Sequence, residues 1–128
     1  MGYVQDESST SDRGRAIRKI LLCEDEPLIR MVTVDMLEML DLEVVESATV
    51  AEALAALDDD IDLLISDVSL PDGSGVDLAG KVREMWPGMP IVFSTGHQMN
   101  PPLDNSVILA KPFDEAGLAQ AIATFTKS

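Results

Sequence analysis

Ile61-Asp62-Leu63-Leu64-Ile65-Ser66-Asp67-Val68-Ser69-Leu70-Pro71-Asp72-Gly73-Ser74-Gly75 is the stretch that decides the fold. Four of its first five residues are apolar, which suits a strand covered on both faces. The apolar run stops at Ser66-Asp67, and Pro71 to Gly75 is a dense cluster of turn formers. Asp67 therefore belongs at the C-terminal end of a buried strand, the edge where open α/β sheets bind ligands and carry chemistry. Taken alone, an aspartate there reads more readily as a strand-ending or loop-capping residue. The other acids and Lys111 change that reading.

Upstream, residues 1–16 are polar and predict a mobile tail, leaving 17–128 as the folded domain. Ile17 to Cys23 reads as a first strand that stops abruptly at Glu24-Asp25-Glu26-Pro27, with Pro27 suited to the first position of a helix. Ile29, Val32, Met36 and Leu40 give that helix an apolar stripe. Leu42 to Val45 is a short second strand. Thr49-Val50-Ala51-Glu52 reads as a capping box for a helix with Val50, Leu54 and Leu57 inward. Downstream, a helix from about Ser74 to Met85 turns Leu78, Val82 and Met85 inward and breaks at Trp86-Pro87-Gly88. Ile91-Val92-Phe93 and Val107 to Ala110 are the fourth and fifth strands, and Asp114 caps a last helix with Leu118, Ile122 and Phe125 inward. Gly96 to Ser106, with Asn100-Pro101-Pro102, has too few apolar residues at helical spacing and predicts a loop or at most one helical turn. Strand and helix thus alternate, which predicts a parallel sheet with helices on both faces and right-handed crossovers.

The 128 residues fit one domain with a real core, and 46% hydrophobic residues argue against disorder. Acids outnumber bases 23 to 9, a net charge of −14, so neither nucleic acid nor an anionic membrane is expected as a direct partner. The single Cys23 cannot form an internal disulfide and sits among apolar neighbours, which fits a reducing compartment. No apolar run reaches the roughly 20 residues of a membrane span. A cytoplasmic protein is the expectation.

The strand ends deliver Glu24 and Asp25, then Asp67, Thr95 and Lys111, spread over 88 positions yet brought to one rim by a parallel sheet. Three crowded carboxylates repel, and without compensation one would take up a proton. A hard divalent cation resolves this; Mg²⁺ takes oxygen ligands octahedrally and keeps several waters, with Mn²⁺ as the alternative. A carboxylate can attack phosphorus to form an aspartyl phosphate, while the cation and an ammonium neutralise the transferring oxygens. The hydroxyl of Thr95 can hydrogen-bond an attached phosphoryl group.

Four pieces together resemble the response-regulator receiver domain of two-component signalling systems. They are Leu22-Cys23-Glu24-Asp25-Glu26-Pro27, Ile65 to Gly75, Pro90-Ile91-Val92-Phe93-Ser94-Thr95-Gly96, and Ala110-Lys111-Pro112-Phe113, and the match runs from about Lys19 to the C-terminus. The resemblance implies a doubly wound, flavodoxin-like sheet of five parallel strands in the order 2-1-3-4-5. It implies that Asp67 accepts phosphate from a sensor histidine kinase or a histidine phosphotransfer protein. It further implies that Asp25, with Glu24 directly or through water, holds Mg²⁺ together with Asp67 and the backbone carbonyl of Ser69. Thr95 resembles the switch hydroxyl and Lys111 the lysine that pairs with the phosphoryl group, with Lys111-Pro112 cis. Ser69 and His97 fall at positions that tune hydrolysis in the family, although His97 reads equally as an exposed loop histidine.

Two departures stand out. Ile108 replaces the aromatic residue that the family usually places three before the lysine, and only 15 residues separate Thr95 from Lys111, which removes most or all of the fourth helix. Phe93-Ser94-Thr95-Gly96 resembles an atypical Phe-x-Thr-Gly subgroup, and Gly96 to Ser106 is expected to become ordered when Asp67 is phosphorylated. The expected output is that of a stand-alone receiver acting by protein contact or as a phosphate sink, not as a conventional turnover enzyme. The alternatives are a phosphorylation-independent pseudo-receiver scaffold, against which the intact acids, Thr95 and Lys111 argue, and a flavodoxin-like cofactor carrier, whose phosphate Glu24-Asp25-Glu26 would repel. A hydrolase using Asp67 would want a second acid two residues on, where Ser69 stands.

Overall fold

Alternate residues of the first strand, β1 (Lys19–Cys23), face opposite layers: Ile20 and Leu22 enter one core cluster, Leu21 and Cys23 the other. That two-sided burial is what a central parallel strand requires. The computed structural model describes residues 16–126, so the predicted polar tail lies almost wholly outside the described residues. The main sheet also contains β2 (Glu43–Ser47), β3 (Leu63–Asp67), β6 (Ile91–Thr95) and β7 (Ser106–Ala110), with β4 (Ser69–Leu70) and β5 (Gly73–Ser74) forming a separate small hairpin. All main-sheet pairs are parallel and the order is β2-β1-β3-β6-β7, the flavodoxin-like arrangement expected. Helices α1 (Pro27–Met39) and α4 (Glu115–Ala123) cover one face with Leu37, Leu118 and Ile122. Helices α2 (Val50–Ala56) and α3 (Gly75–Met85) cover the other with Val50, Ala53, Leu78 and Val82. Among the described residues no helix lies between β6 and β7, as the spacing of apolar residues predicted.

Local chemistry explains the boundaries. Pro27 opens α1, and the α2 box closes in both directions: the Glu52 N–H donates to Thr49 Oγ1 at 3.0 Å and the Ala48 N–H to Glu52 Oε1 at 2.8 Å. Ser74 Oγ accepts from the Val76 N–H at 3.0 Å and Asp114 Oδ1 from the Gly117 N–H at 2.8 Å, capping α3 and α4.

Two inward assignments are corrected. Val32 is 42% exposed, because α1 turns Thr33 and Leu37 to the sheet; the Thr33 hydroxyl donates to the Ile29 carbonyl at 2.7 Å and so enters the core without an unmet polar group. Met85 is 53% exposed, because α3 buries Ala79 beside Leu78 and Val82, and Met89 beyond the helix fills the core instead. The third and fourth main strands also run two residues further than the apolar runs, through Asp67 and Thr95.

The β4–β5 hairpin is tied to α2 by Asp72, whose Oδ1 and Oδ2 accept from the Val50 and Ala51 N–H groups at 2.8 and 3.1 Å. These bonds hold the Asp72 carboxyl below the usual carboxylate range. A depressed folded value adds stability above the unfolded value of about 3.9, and that stability disappears as pH falls through the folded value. Asp72→Asn should therefore flatten the acid limb of a plot of Tm against pH. An unchanged acid limb would remove Asp72 from the tie.

Candidate functional site

The C-terminal ends of β1, β3, β6 and β7 meet at one rim. β1 delivers Glu24, whose N–H donates to the Ser47 carbonyl at 3.0 Å, and Asp25 follows it. One carboxylate oxygen from each of Glu24, Asp25 and Asp67 lies within 4.8 Å of the other two. Lys111, just past β7, reaches between two of them: its Nζ is 2.9 Å from Glu24 Oε1 and 3.1 Å from Asp67 Oδ2. The Lys111–Pro112 peptide is cis.

Glu24 is only 2% exposed, and both of its oxygens are engaged, because Oε2 accepts from the Glu26 N–H at 3.1 Å. Burial pushes the Glu24 carboxyl up, against the hydrogen bonds from Lys111 and Glu26 that favour its charged form. For Lys111, burial alone would lower the ammonium value, but hydrogen bonds to Glu24 and Asp67 more than offset it and hold it above the ordinary range. The rim thus stores one shared cation among three acids, and the acids remain in excess.

Thr95, 3% exposed, lies at the end of β6; its Oγ1 accepts from the His97 N–H at 3.1 Å, and its carbonyl accepts from the Lys111 N–H at 2.9 Å. His97 has an exposed side chain in the loop after β6. Ser69 is exposed in β4, two residues beyond Asp67.

Three supporting residues are missing from the sequence reading. Gly75 presses against the end of β3, where a Cβ would lie 1.9 Å from the Asp67 carbonyl oxygen. Ser66 Oγ donates to that same oxygen at 2.9 Å. Arg30 on α1 donates to the Glu24 carbonyl at 2.7 Å and pairs with Glu46 at 3.3 Å, anchoring the acidic turn from the far side. Nothing in local sequence marks Arg30, whereas Gly75 could have been found as a glycine opening a helix directly behind the strand end.

Comparison with known proteins agrees with this geometry. The model of the response regulator receiver domain matches residues 20–123. The chain belongs to that family. It is 31% identical over 113 residues to the response regulator receiver protein CpdR of Brucella abortus, covering 83% of this chain and 94% of CpdR. It is 33% identical over 111 residues to the sensory transduction protein LytR of Staphylococcus saprophyticus, covering 81% of this chain and 44% of LytR, so it spans less than half the length of that relative. The chemotaxis response regulator CheY4 of Vibrio cholerae superposes with a TM-score of 0.78 at 26% identity, over 86% of this chain and 99% of the solved one.

As a receiver domain the chain is a signalling module, and its acidic cluster is of the kind that binds Mg²⁺ in the family. The donor set fits such an ion. Octahedral oxygens at about 2.1 Å from Mg²⁺ are about 3.0 Å apart when adjacent and about 4.2 Å when opposite, inside the spread of these three carboxylates. Among the described residues no helix is long and apolar enough to cross a membrane.

Proposed function

We propose that this receiver accepts a phosphoryl group on Asp67 from a phosphohistidine of a sensor kinase or phosphotransfer protein. The observation that carries the reading is the position of Lys111 Nζ between Glu24 and Asp67, at the open end of the sheet. An Asp67 carboxylate oxygen attacks phosphorus; the P–O bond forms as the P–N bond breaks, and the electron pair returns to the imidazole, which takes a proton from solvent. Lys111 draws its ammonium toward the transferring oxygens, and Thr95 Oγ1 supplies a hydroxyl for the attached group. Asp25 and Asp67 would hold Mg²⁺ or Mn²⁺, with the Ser69 carbonyl, while Glu24, with both oxygens already bonded, would contribute through water. When bound, the ion neutralises charge on the transferring oxygens.

Ser69 and His97, two residues beyond Asp67 and Thr95 and both exposed, would set the lifetime of the phosphate. Output passes through protein contacts or drains phosphate from a kinase, in the cytoplasm. The match to nearly the whole of CpdR supports a receiver that works without relying on a fused output region.

Incubation of the protein with a small phosphodonor and Mg²⁺, followed by mass measurement, tests this. One phosphoryl adduct is expected, and none with Asp67→Asn. An adduct that survives the substitution would displace Asp67 from its role; no adduct on the unaltered chain would favour a phosphorylation-independent scaffold.

A further inference from the structure

We propose that the outer edge of β7 binds an extended, basic-flanked segment of a partner protein as a sixth strand of the main sheet. This surface does not depend on the phosphoacceptor reading.

Strand β7 pairs with β6 alone among the described residues. The Ile91 N–H donates to the Asn105 carbonyl at 3.3 Å and the Lys111 N–H to the Thr95 carbonyl at 2.9 Å, so residues 105 and 111 face β6. The even spacing of a parallel ladder assigns 107 and 109 inward too. The N–H and C=O groups of Ser106, Ile108 and Ala110 therefore point outward, three donors and three acceptors in a row. The two edges of the sheet are treated differently. The β2 edge carries exposed Glu43 and Glu46, the charges that usually discourage strand addition. The β7 edge, Ser106-Val107-Ile108-Leu109-Ala110, has neither charge nor proline, and no helix precedes it to cover it.

Both sides of this edge are open. A concavity of about 580 Å³ beside Met99, Ile108 and Ala110 lies on one side, and one of about 590 Å³ beside Leu109, Ala110 and Phe113 on the other. Successive side chains of an added strand would enter the two concavities alternately, the arrangement by which strand addition combines backbone affinity with side-chain selectivity.

Charge identifies the occupant. Asp104 is exposed before the strand, and Asp114 and Glu115 follow it. Among the described residues the nearby cations are committed: Lys111 to Glu24 and Asp67, and the Arg83 guanidinium to the carbonyls of Met89, Asp104 and Asn105. A second copy fits poorly. Antiparallel self-pairing centred on Ile108 would match Ser106 with Ala110 and bring Asp104 alongside the Pro112–Asp114 stretch of the other copy, between chains of −14 each. A segment with apolar residues at alternate positions and lysine or arginine at both ends meets every condition.

The test uses the full chain and a blocked synthetic peptide, Lys-Thr-Val-Thr-Val-Thr-Lys, with amide exchange read by NMR. Addition of the peptide should slow exchange at Ser106, Ile108 and Ala110 by about tenfold or more, corresponding to backbone bonds formed there. N-methylation of the peptide along its pairing edge should abolish the effect, and Ala110→Lys should weaken binding about tenfold with the folded spectrum unchanged. Equal binding of the N-methylated peptide, or no protection at these three amides, overturns the proposal. So does protection without peptide in a protein that sediments as a dimer, which would assign the edge to a second copy.

Discussion

Gly75→Ala is expected to lower Tm by about 10 °C, corresponding to roughly 3 kcal/mol for a domain of this size. The added Cβ would sit 1.9 Å from the Asp67 carbonyl oxygen and 2.9 Å from Ser66 Oγ. A normal contact needs about 3.4 Å, and the neighbour is backbone, so no rotamer change can relieve the overlap. The start of α3 must retreat or the end of β3 must move. Retreat would stretch the 2.7 Å bond from the Gly75 N–H to the Val68 carbonyl; movement of β3 would break the Ser66 bond that pins Asp67. Either way the Asp67 carboxylate shifts, and a misplacement of about 1 Å lowers rates of an oriented reaction by about a hundredfold. Thermal unfolding and the rate of phosphoryl uptake measure the two effects. A variant with wild-type Tm and uptake would show that the close approach of α3 to β3 has no consequence.

Lys111→Met has the other large effect. The substitution keeps most of the volume and removes the cation shared by Glu24 and Asp67. A buried charge stripped of its partner costs about 3–5 kcal/mol, and Glu24 is the buried one. The loss is expected at neutral pH without divalent ion, and added Mg²⁺ should return part of it by replacing the missing positive charge. The pH dependence has a fixed sign. Burial already raises the folded value of Glu24, and without Lys111 that value rises further. A native state that holds a proton the unfolded chain has released loses stability as pH rises above the unfolded value of about 4.3. The variant should therefore approach the parent as the solution is acidified toward pH 5. Chemical denaturation at pH 5 and pH 7, with and without Mg²⁺, checks this. An equal deficit at both pH values would mean that Glu24 is not the group left stranded.

The backbone of this domain is readable from its sequence because buried parallel strands are short, continuous apolar runs closed by polar residues. Ile20-Leu21-Leu22-Cys23 and Ile91-Val92-Phe93 are such runs, bounded by Lys19 and Glu24 and by Pro90 and Ser94. The rim follows once the strands are known to be parallel, since Glu24, Asp25, Asp67, Thr95 and Lys111 each stand at a strand end or just past one. The orientation of α1 is harder. Leu28, Met31, Val32 and Met39 are all exposed, so apolar residues surround much of that helix and periodicity alone turns Val32 inward, although Met36 and Leu40 of the same stripe do pack against the core. Thr33 decides the matter through a hydroxyl bond that no apolar count registers. Gly75 and Arg30 act through distances between segments, 1.9 Å for a side chain that does not exist and 2.7 Å across a turn, and such quantities arise only when the chain is folded.

The helix-free connection between β6 and β7 has a consequence for how the molecule comes apart. Arg83 grips its far end through the carbonyls of Asp104 and Asn105, while Gly96, His97 and Gln98 at its near end are exposed. Among the described residues a protease should nick the chain there first, yielding two fragments that remain clasped through the β6–β7 ladder and the apolar seat of α4. The same place would accept a circular permutation or serve as the break point of a split reporter whose halves reassemble.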